Sequence, residues 1–447
     1  MLARFTNGLV VFFDRWMPDA LVVALVLTAI TFALGIGLTE TEPVAAVAIW
    51  GDNLWNLLEF TNQVILIILL GYALAQTTAM QKVLRGAAGL VTTPSGAYVT
   101  VTFVSLLSSF FGSGGFGLVA GAIIARTVGI VARERNIPVH YPLLVACAYS
   151  GFVIWHQGLS ATIPLTIATP GHFLEGTIGI IPSSETLLTP WNAAVAGIIF
   201  LTLPFVMARL RPADEACRPI SNSSLAENSE SRSADIHETH TPAARFENSR
   251  WLNLPIVVAG LVFLYIQFVE RGTGLNLNII NFSFLILGVA LSRSPLHYLT
   301  LIVNAARMAG PFLLQYPLYA GIAGLIAGTG LAQMVVDLFV QISSPTTLPI
   351  TSFFSGAVLN LFVPSGGGQW AIQGPIAMQA ATELGANIPL TAMAVAFGDQ
   401  WTNLIHPFLA IPVLAITGLQ ARDIMGYCAI AFLFTGVIFL ISLLILI

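Results

Sequence analysis

The sequence predicts an all-α polytopic membrane protein. Of its 447 residues, 56% are hydrophobic and 9% are charged, whereas soluble domains carry about 25% charged residues. Several apolar stretches of about 18–22 residues are long enough to cross a bilayer core about 30 Å thick. Two Gly/Ser tracts, Phe110–Gly117 and Phe362–Gln369, interrupt such stretches. Backbone breaks in lipid persist where the freed groups face a cavity and a ligand, and a matched pair of breaks is typical of transporters.

Positive residues assign the loops to the two sides of the membrane, because Lys and Arg concentrate in cytoplasmic loops. Arg4 and Arg15 place the N-terminus in the cytoplasm, and the alternation that follows places the C-terminus outside. The first apolar run lacks a cleavage pattern and is expected to stay as a span. About nine spans are predicted, at about 20–38, 62–81, 140–169, 190–208, 251–269, 274–291, 312–331, 390–417 and 426–446.

Each Gly/Ser tract is predicted to form a re-entrant hairpin. The first hairpin, at about 97–125, has Arg or Lys on both flanks, so we expect it to enter from the cytoplasm. Its arms are predicted to have about 12–14 residues, or about 20 Å of helix, which is too short to cross. The second hairpin, at about 351–382, has no Lys or Arg on its flanks and is predicted to enter from outside.

The two halves of the chain align at an offset near 250–252 residues. Ser113 falls near Ser365, and His156 near His406, within an ordered series of such matches. We therefore predict a first repeat at 1–209, a flexible cytoplasmic linker at 210–250, and a third segment at 251–447. That last segment holds an extra span, which inverts the second repeat. Inverted repeats whose broken helices meet at the midplane are a known transporter plan.

Ionisable residues inside the predicted spans are functional candidates, because a charge at this depth is costly. Asp399 is the one acidic residue deep within a predicted span. It binds Na⁺, carries a proton, or caps a half-helix, and the residues leave these three interpretations open. His156 and His406 make buried hydrogen bonds or serve in proton coupling or substrate contact. Breaks in spans 3 and 8 are predicted at Trp155–Gly158 and at Gly398–Asn403.

The half-helices that begin after the two tract serines favour an anion, because free N–H groups and the helix dipole point there. With no Arg or Lys in the predicted core, a small anion with one negative charge fits better than a dicarboxylate. Carbonyl and hydroxyl groups at the opposite half-helix ends favour a small cation. The predicted substrate-binding residues are Ser113, Gly114, Gly115, His156, Ser365, Gly366, Gly367, Gly368, Gln369, Thr402 and Asn403. The predicted cation-coupling residues are Asp399, Ser108, Ser109, Asn360 and His406.

The segment Val363–Pro375 (VPSGGGQWAIQGP) resembles the second-hairpin motif of the bacterial short-chain fatty acid transporter family. Tyr149–Ser160 and Gly398–Leu404 resemble that family as well. The resemblance implies uptake of acids such as acetoacetate or butyrate across the inner membrane, and an elevator-type arrangement of scaffold and transport domains. It assigns the site role to Ser365–Gln369, Asp399, Thr402 and Asn403. His406 stands where the relatives carry a Gln-Pro-Phe-Trp pattern, so a shared role for it does not follow.

The sequence thus predicts a secondary transporter that works with a small carboxylate and the lipid bilayer, without nucleic acid and without catalytic residues. No cofactor or bound metal is expected beyond Na⁺ or H⁺ as the coupling ion, and related scaffolds favour a homodimer. The alternatives are a carrier of other small organic anions such as dicarboxylates, a channel, and an intramembrane serine hydrolase that uses Ser113 or Ser365 with a histidine base.

Overall fold

The computed structural model describes residue 15 and residues 18–221, 241–307 and 309–447. Throughout these ranges the regular structure is helical, and nine helical segments are long and apolar enough to cross a membrane. The predicted class and the approximate number of spans are therefore confirmed. Arg4 and residues 222–240 of the predicted linker lie outside the described residues.

The described part of the first half of the chain contains ten α-helices. They are α1 Ala20–Leu38, α2 Pro43–Asn53, α3 Leu58–Gln76, α4 Thr78–Gly89, α5 Pro94–Phe111, α6 Gly114–Glu134, α7 Tyr141–Ser150, α8 Thr162–Ile167, α9 Glu175–Ile178 and α10 Pro190–Arg209. A 3₁₀ segment, Gly151–Gln157, follows α7, so the predicted break in span 3 is present.

The second half contains eleven helices among the described residues. They are α11 Pro242–Glu247, α12 Asn253–Tyr265, α13 Leu277–Leu291, α14 Pro295–Ala306, α15 Gly310–Gly328, α16 Leu331–Ile342, α17 Leu348–Asn360, α18 Gly366–Leu384, α19 Ile388–Thr402, α20 Ile411–Thr417 and α21 Ala421–Leu446. A π-helical turn, Ile266–Glu270, extends α12, and two 3₁₀ turns separate α19 from α20.

Local sequence signals explain where several of these helices begin. Thr93 and Thr189 each accept a backbone N–H in the first turn of α5 and α10, and Pro94 and Pro190 occupy the first helical position. Ser, Thr, Asn and Asp are favoured as caps because their side chains satisfy N–H groups that lack a partner within the helix. Proline suits the next position, since it has no N–H to leave unpaired.

The arms of the first hairpin are longer than predicted. Helices α5 and α6 pack against one another but have 18 and 21 residues, and each is long and apolar enough to cross a membrane. The predicted length of 12–14 residues is therefore wrong. The apolar pattern marked only the centre of each arm, whereas the helices continue through polar ends, from the Thr93 cap to beyond Arg126. In the second hairpin α17 has 13 residues and α18 has 19.

The break in span 8 lies later than predicted. Helix α19 continues through Gly398 and Asp399 to Thr402, and the irregular region extends from Asn403 to Ala410. Pro407 explains this position, because proline lacks an N–H and disfavours helical backbone in the residue before it. Gly398 serves close packing instead: a Cβ atom built there would lie 2.1 Å from the carbonyl oxygen of Phe353 in α17.

The two halves pack against each other in a reciprocal pattern. Helix α1 packs on α15 and α13 packs on α3, while α2 packs on α15 and α14 packs on α3. Within each half, the first hairpin arm packs on the broken helix, as α5 does on α7 and α17 on α19. In an 18-residue window of the broken segment Tyr141–Ile167, 94% of the residues are buried, whereas the value for Arg250–Glu270 is 17%. The first broken segment therefore lies at the centre, and α12 lies at the periphery.

Replacing Gly398 with alanine should destabilise the protein, because the new Cβ would lie 2.1 Å from the carbonyl oxygen of Phe353 and 2.8 Å from the backbone nitrogen of Ala357. We expect a loss of about 1–3 kcal/mol in the free energy of unfolding, as for other overpacked cores. The measurement is the thermal unfolding midpoint in detergent.

Gly197→Ala in α10 is the matched control, since nothing lies within 4 Å of its added Cβ. Alanine forms helix more readily than glycine by about 1 kcal/mol, so this variant should unfold at the same or a higher temperature. Equal midpoints for the two variants would contradict the packing account.

Candidate functional site

The tips of both hairpins lie against the break that follows α7. A Cβ atom built on Gly366, the first residue of α18, would lie 2.5 Å from Nε2 of His156 and 3.1 Å from the Trp155 ring. A Cβ atom built on Gly114, the first residue of α6, would lie 3.6 Å from the Trp155 ring. Two of the predicted tract residues and the predicted histidine are thus brought together.

The His156 imidazole faces the carboxylate of Asp399 on α19. Nε2 of His156 lies 3.2 Å from Oδ1 of Asp399, and both side chains are fully buried. The two atoms are at ion-pair distance, yet neither ring nitrogen of His156 is aligned in a hydrogen bond, and Oδ2 of Asp399 has no hydrogen-bond partner in the described chain. A buried charge without full pairing is costly. This contact therefore leaves both ring nitrogens of His156 and Oδ2 of Asp399 without a hydrogen bond in the described chain.

Electrostatically, this centre contrasts with the rest of the buried interior. Among the described residues Asp399 is the one buried carboxylate, and no Lys or Arg is buried. Any negative charge brought here must be stabilised by N–H groups, hydroxyl groups or the imidazole. The arrangement suits one negative charge better than two.

A chain of uncharged amides holds the break in place, and the sequence interpretation missed it. The backbone N–H of His156 donates to Oε1 of Gln400 at 2.9 Å, and the Gln400 amide donates to Gln157 at 3.4 Å. Asn192 of α10 donates to the carbonyl of Gln157 at 3.0 Å. Amides inside apolar spans were the available signal, since a buried polar group needs a partner.

The Asn360 amide joins the second hairpin to the end of α19. Its Nδ2 lies 2.9 Å from the Asp399 carbonyl, 2.9 Å from the Thr402 hydroxyl and 2.6 Å from Oδ1 of Asn403. An amide group has two hydrogens, so three acceptors share them. The Asn403 amide in turn lies 3.4 Å from Oδ1 of Asp399. Asn360, Asp399, Thr402 and Asn403 therefore form one buried cluster rich in oxygen atoms.

The predicted cation-coupling residues fall into separate places. Asp399 and Asn360 belong to the cluster just described. Nε2 of His406 lies 3.3 Å from the carbonyl of Leu361, which follows α17, and His406 itself follows the 3₁₀ turn after α19. Ser108 and Ser109 lie in the last turn of α5, within the other hairpin, and Ser109 packs against Gly117 there.

The serines at the two tips differ in their surroundings. Ser113 is fully buried, caps α6 through the Phe116 N–H at 3.1 Å, and lies against Gly71 of α3. Ser365 is partly exposed, caps α18 through the Gly368 N–H at 3.4 Å, and lies 3.1 Å from the Tyr316 hydroxyl of α15. The hydrogen bonds described for both serines run to these groups and not to a histidine, as a hydrolase would need.

Gln369 lies between the hairpin arms. Its amide donates to the Gly356 carbonyl of α17 and to Gln373, both at 3.0 Å, and Gln373 donates to Ser355 at 2.8 Å. The bonds to Gly356 and to Ser355 run across the hairpin, whereas Gln369 and Gln373 lie on the same arm. The buried Gln369 side chain thus fixes one arm against the other. Gly115 and Gly367 allow close approach at the tips, Gly115 to the Ile68 carbonyl and Gly367 to the Tyr316 hydroxyl.

Serine-capped hairpin tips that meet a broken apolar helix, within a chain of nine potential spans, define a multi-pass membrane transporter. The sequence matches the short chain fatty acid transporter family over residues 1–446, and the chain belongs to that family. It is therefore a transporter and not an enzyme.

Relatives and solved structures agree with this assignment. The chain is 40% identical over 444 residues to an Escherichia coli protein and 37% identical over 450 residues to one from Haemophilus influenzae, with 99% of each chain covered in both cases. Both are named provisionally as short-chain fatty acid transporters.

Two solved transporters share the fold. MtrF of Neisseria gonorrhoeae, described with a class of antimetabolite efflux pumps, has a TM-score of 0.62 at 17% identity, with 97% of each chain covered. The YdaH transporter of Alcanivorax borkumensis has a TM-score of 0.58 at 16% identity, with 96% of this chain and 97% of YdaH covered. At such identities the likeness concerns the fold alone.

Replacing Asn360 with alanine should lower the unfolding midpoint, because the Asp399 carbonyl, the Thr402 hydroxyl and Oδ1 of Asn403 all lose the Asn360 donor. Buried groups left unsatisfied cost about 1–3 kcal/mol. Thermal unfolding in detergent measures the shift.

The matched control is Asn56→Ala, which removes an amide that donates to Asn53 at an exposed position. Water can replace that bond, so we expect little change. A shift in Asn56→Ala as large as that in Asn360→Ala would contradict the assignment of a central role to Asn360.

Proposed function

We propose that this protein is a secondary active transporter that imports short-chain monocarboxylic acids, such as acetoacetate or butyrate, across the bacterial inner membrane. The observation that carries the proposal is the meeting of the capped α18 N-terminus with His156 and Asp399, in an interior without buried Lys or Arg among the described residues. N–H groups at a helix start stabilise one carboxylate, and the apolar surroundings suit a short acyl tail. Family membership supports the same substrate class.

Coupling to a Na⁺ or H⁺ gradient belongs to the same proposal, and Asp399 is its centre. One carboxylate oxygen lies 3.2 Å from the His156 imidazole, and the other makes no hydrogen bond in the described chain. The side-chain oxygen atoms of Thr402 and Asn403 lie near Asp399, and both accept from the Asn360 amide. A cation or proton added here would complete an arrangement that is short of positive charge.

We further propose that the halves are inverted repeats in an elevator-type transporter, with the segments divided at 1–209, 210–250 and 251–447. The reciprocal packing of α1 on α15 and of α13 on α3 supports a two-fold relation between the halves. In this arrangement the two hairpins enter from opposite sides, the N-terminus is cytoplasmic and the C-terminus periplasmic. Assembly as a homodimer completes the proposal.

Uptake of labelled butyrate or acetoacetate into liposomes that contain the purified protein tests this function. We expect accumulation when an inward Na⁺ or proton gradient is imposed, and none when ionophores remove that gradient. Imposing the two gradients separately identifies the coupling ion. A labelled C4 dicarboxylate in parallel tests the alternative substrate class, and its preferred uptake would replace the monocarboxylate proposal. No uptake of any short acid under either gradient would exclude the proposed function.

Substitutions at the site should reduce this uptake without preventing membrane insertion. Ser365→Ala removes the α18 cap and the contact with Tyr316, and Asp399→Asn removes the buried charge. We expect each to lower the initial uptake rate by about tenfold or more, since a hydrogen bond to a charged group contributes about 1.5–3 kcal/mol.

Matched controls separate this effect from general destabilisation. Ser294→Ala removes an equivalent serine cap from α14, and Asp423→Asn changes a carboxylate that caps α21. Both controls should retain the wild-type uptake rate. Full activity in both site variants would show that the site has been assigned to the wrong residues.

A further inference from the structure

Tyr316 approaches the α18 tip from outside the hairpins and the broken helices. It lies on α15, is fully buried, and its hydroxyl is 3.1 Å from Oγ of Ser365. A Cβ atom built on Gly367 would lie 2.3 Å from the same hydroxyl. Because Gly367 has no side chain, the hydroxyl can reach the backbone of the first turn of α18. Tyr316 belongs to none of the motifs identified in the sequence.

The first turn of α18 has N–H groups available for a ligand. The N–H of Gly368 bonds to the Ser365 side chain and that of Gln369 to the Ser365 carbonyl, whereas the N–H groups of Gly366 and Gly367 precede the first intrahelical partner. An anion is favoured at such a position by the N–H groups and the helix dipole. The glycines at both positions allow a ligand to approach the backbone closely.

The buried imidazole of His156 independently indicates a ligand at this turn. Its side chain is fully buried, and neither ring nitrogen makes a hydrogen bond within the described chain. Its Nε2 would lie 2.5 Å from a Cβ atom on Gly366, so it is directed at the start of α18. A polar group this deeply buried is normally satisfied. Nε2 faces Oδ1 of Asp399 at 3.2 Å without an aligned hydrogen bond, so a ligand carboxylate at the α18 tip would supply a better-placed acceptor.

Tyr316 and His156 therefore lie against successive residues of the same helix start, Tyr316 at Gly367 and His156 at Gly366. The Ser365 hydroxyl can donate to the Tyr316 oxygen while it accepts the Gly368 N–H, which leaves the Tyr316 hydrogen for another acceptor. Phe60 packs at the same position, 3.3 Å from a Cβ atom on Gly367, and its ring centroid lies 5.3 Å from that of Phe173. A hydroxyl donor beside an aromatic wall suits an acid with a short apolar tail.

We propose that Tyr316 is a substrate-contacting residue whose hydroxyl donates a hydrogen bond to the carboxylate of the transported acid. In this arrangement the N–H groups of Gly366 and Gly367 hold the carboxylate from the α18 side, and α15 supplies the remaining donor. The binding site is then incomplete without α15, a helix that packs on α1 and α2 as well as on α18. This inference rests on the proposed function, since it assigns a residue to the same carboxylate site.

Tyr319 offers a matched control on the same helix. It is fully buried like Tyr316, and its ring packs against Gly368, but its hydroxyl makes no hydrogen bond within the described chain. Tyr316→Phe and Tyr319→Phe each remove one oxygen atom from a buried ring. Any difference between them therefore reports the position of the hydroxyl and not the loss of a phenol.

The experiment compares wild type, Tyr316→Phe and Tyr319→Phe in liposomes with labelled butyrate under the gradient that drives wild-type uptake. We expect Tyr316→Phe to raise the KM for butyrate about tenfold, the effect of losing one hydrogen bond to a charged group. The maximal rate should stay within about twofold of wild type, and Tyr319→Phe should match wild type in both parameters. Butyramide, a neutral analogue of similar shape, should inhibit butyrate uptake more strongly in Tyr316→Phe than in wild type or Tyr319→Phe.

The outcomes distinguish this inference from the function on which it rests. Wild-type uptake with an unchanged KM in Tyr316→Phe would overturn the role of Tyr316 and leave the proposed function standing. A lower maximal rate and a lower unfolding midpoint at unchanged KM would assign Tyr316 a structural role and also overturn the inference. Equal changes in both tyrosine variants would overturn it as well. Absence of wild-type uptake for every short acid would overturn both proposals.

Discussion

Every polar backbone group inside a bilayer needs a partner within the protein, and the centre of this structure is organised by that requirement. The chain breaks its helices at two hairpin tips and in two long segments. Ser113 and Ser365 satisfy N–H groups where α6 and α18 begin, and Asn360 satisfies acceptors where α19 ends. The two serine caps are local, whereas the Asn360 amide joins the second hairpin to a residue 39 positions away on α19. The break after α19 is therefore stabilised by its assembly with the second hairpin.

This assembly places an incompletely satisfied pair at the middle of the protein. The imidazole of His156 and the carboxylate of Asp399 come from different broken segments, lie 3.2 Å apart and are fully buried. Gly366 brings the start of α18 against the same imidazole. In the proposed function, a cation or proton binds at Asp399, where the imidazole is the one nearby group that can carry positive charge, and the anion binds at the start of α18. That proposal assigns packing and transport chemistry to the same few residues.

The two tips are similar in sequence but different in environment. Ser113 is fully buried beside Gly71, whereas Ser365 is partly exposed and lies beside the Tyr316 hydroxyl. Equivalent motifs therefore do not have equivalent partners, since the helices that face them carry different side chains. This difference favours the second tip over the first as the site of the proposed carboxylate substrate.

The sequence by itself determined the class, most span positions and the helix starts that follow Ser113 and Ser365, because hydropathy and backbone breakers act locally. The sequence-based prediction placed the break after α19 too early and made the arms of the first hairpin too short. The reason is that the neighbouring residues decide whether a helix tolerates a glycine or an arginine. Only the tertiary structure decided that His156 faces Asp399, and that Gln369 lies between the hairpin arms. It also showed that Tyr316 reaches Ser365. Those contacts join residues from 13 to more than 200 positions apart, and no local pattern records such pairings.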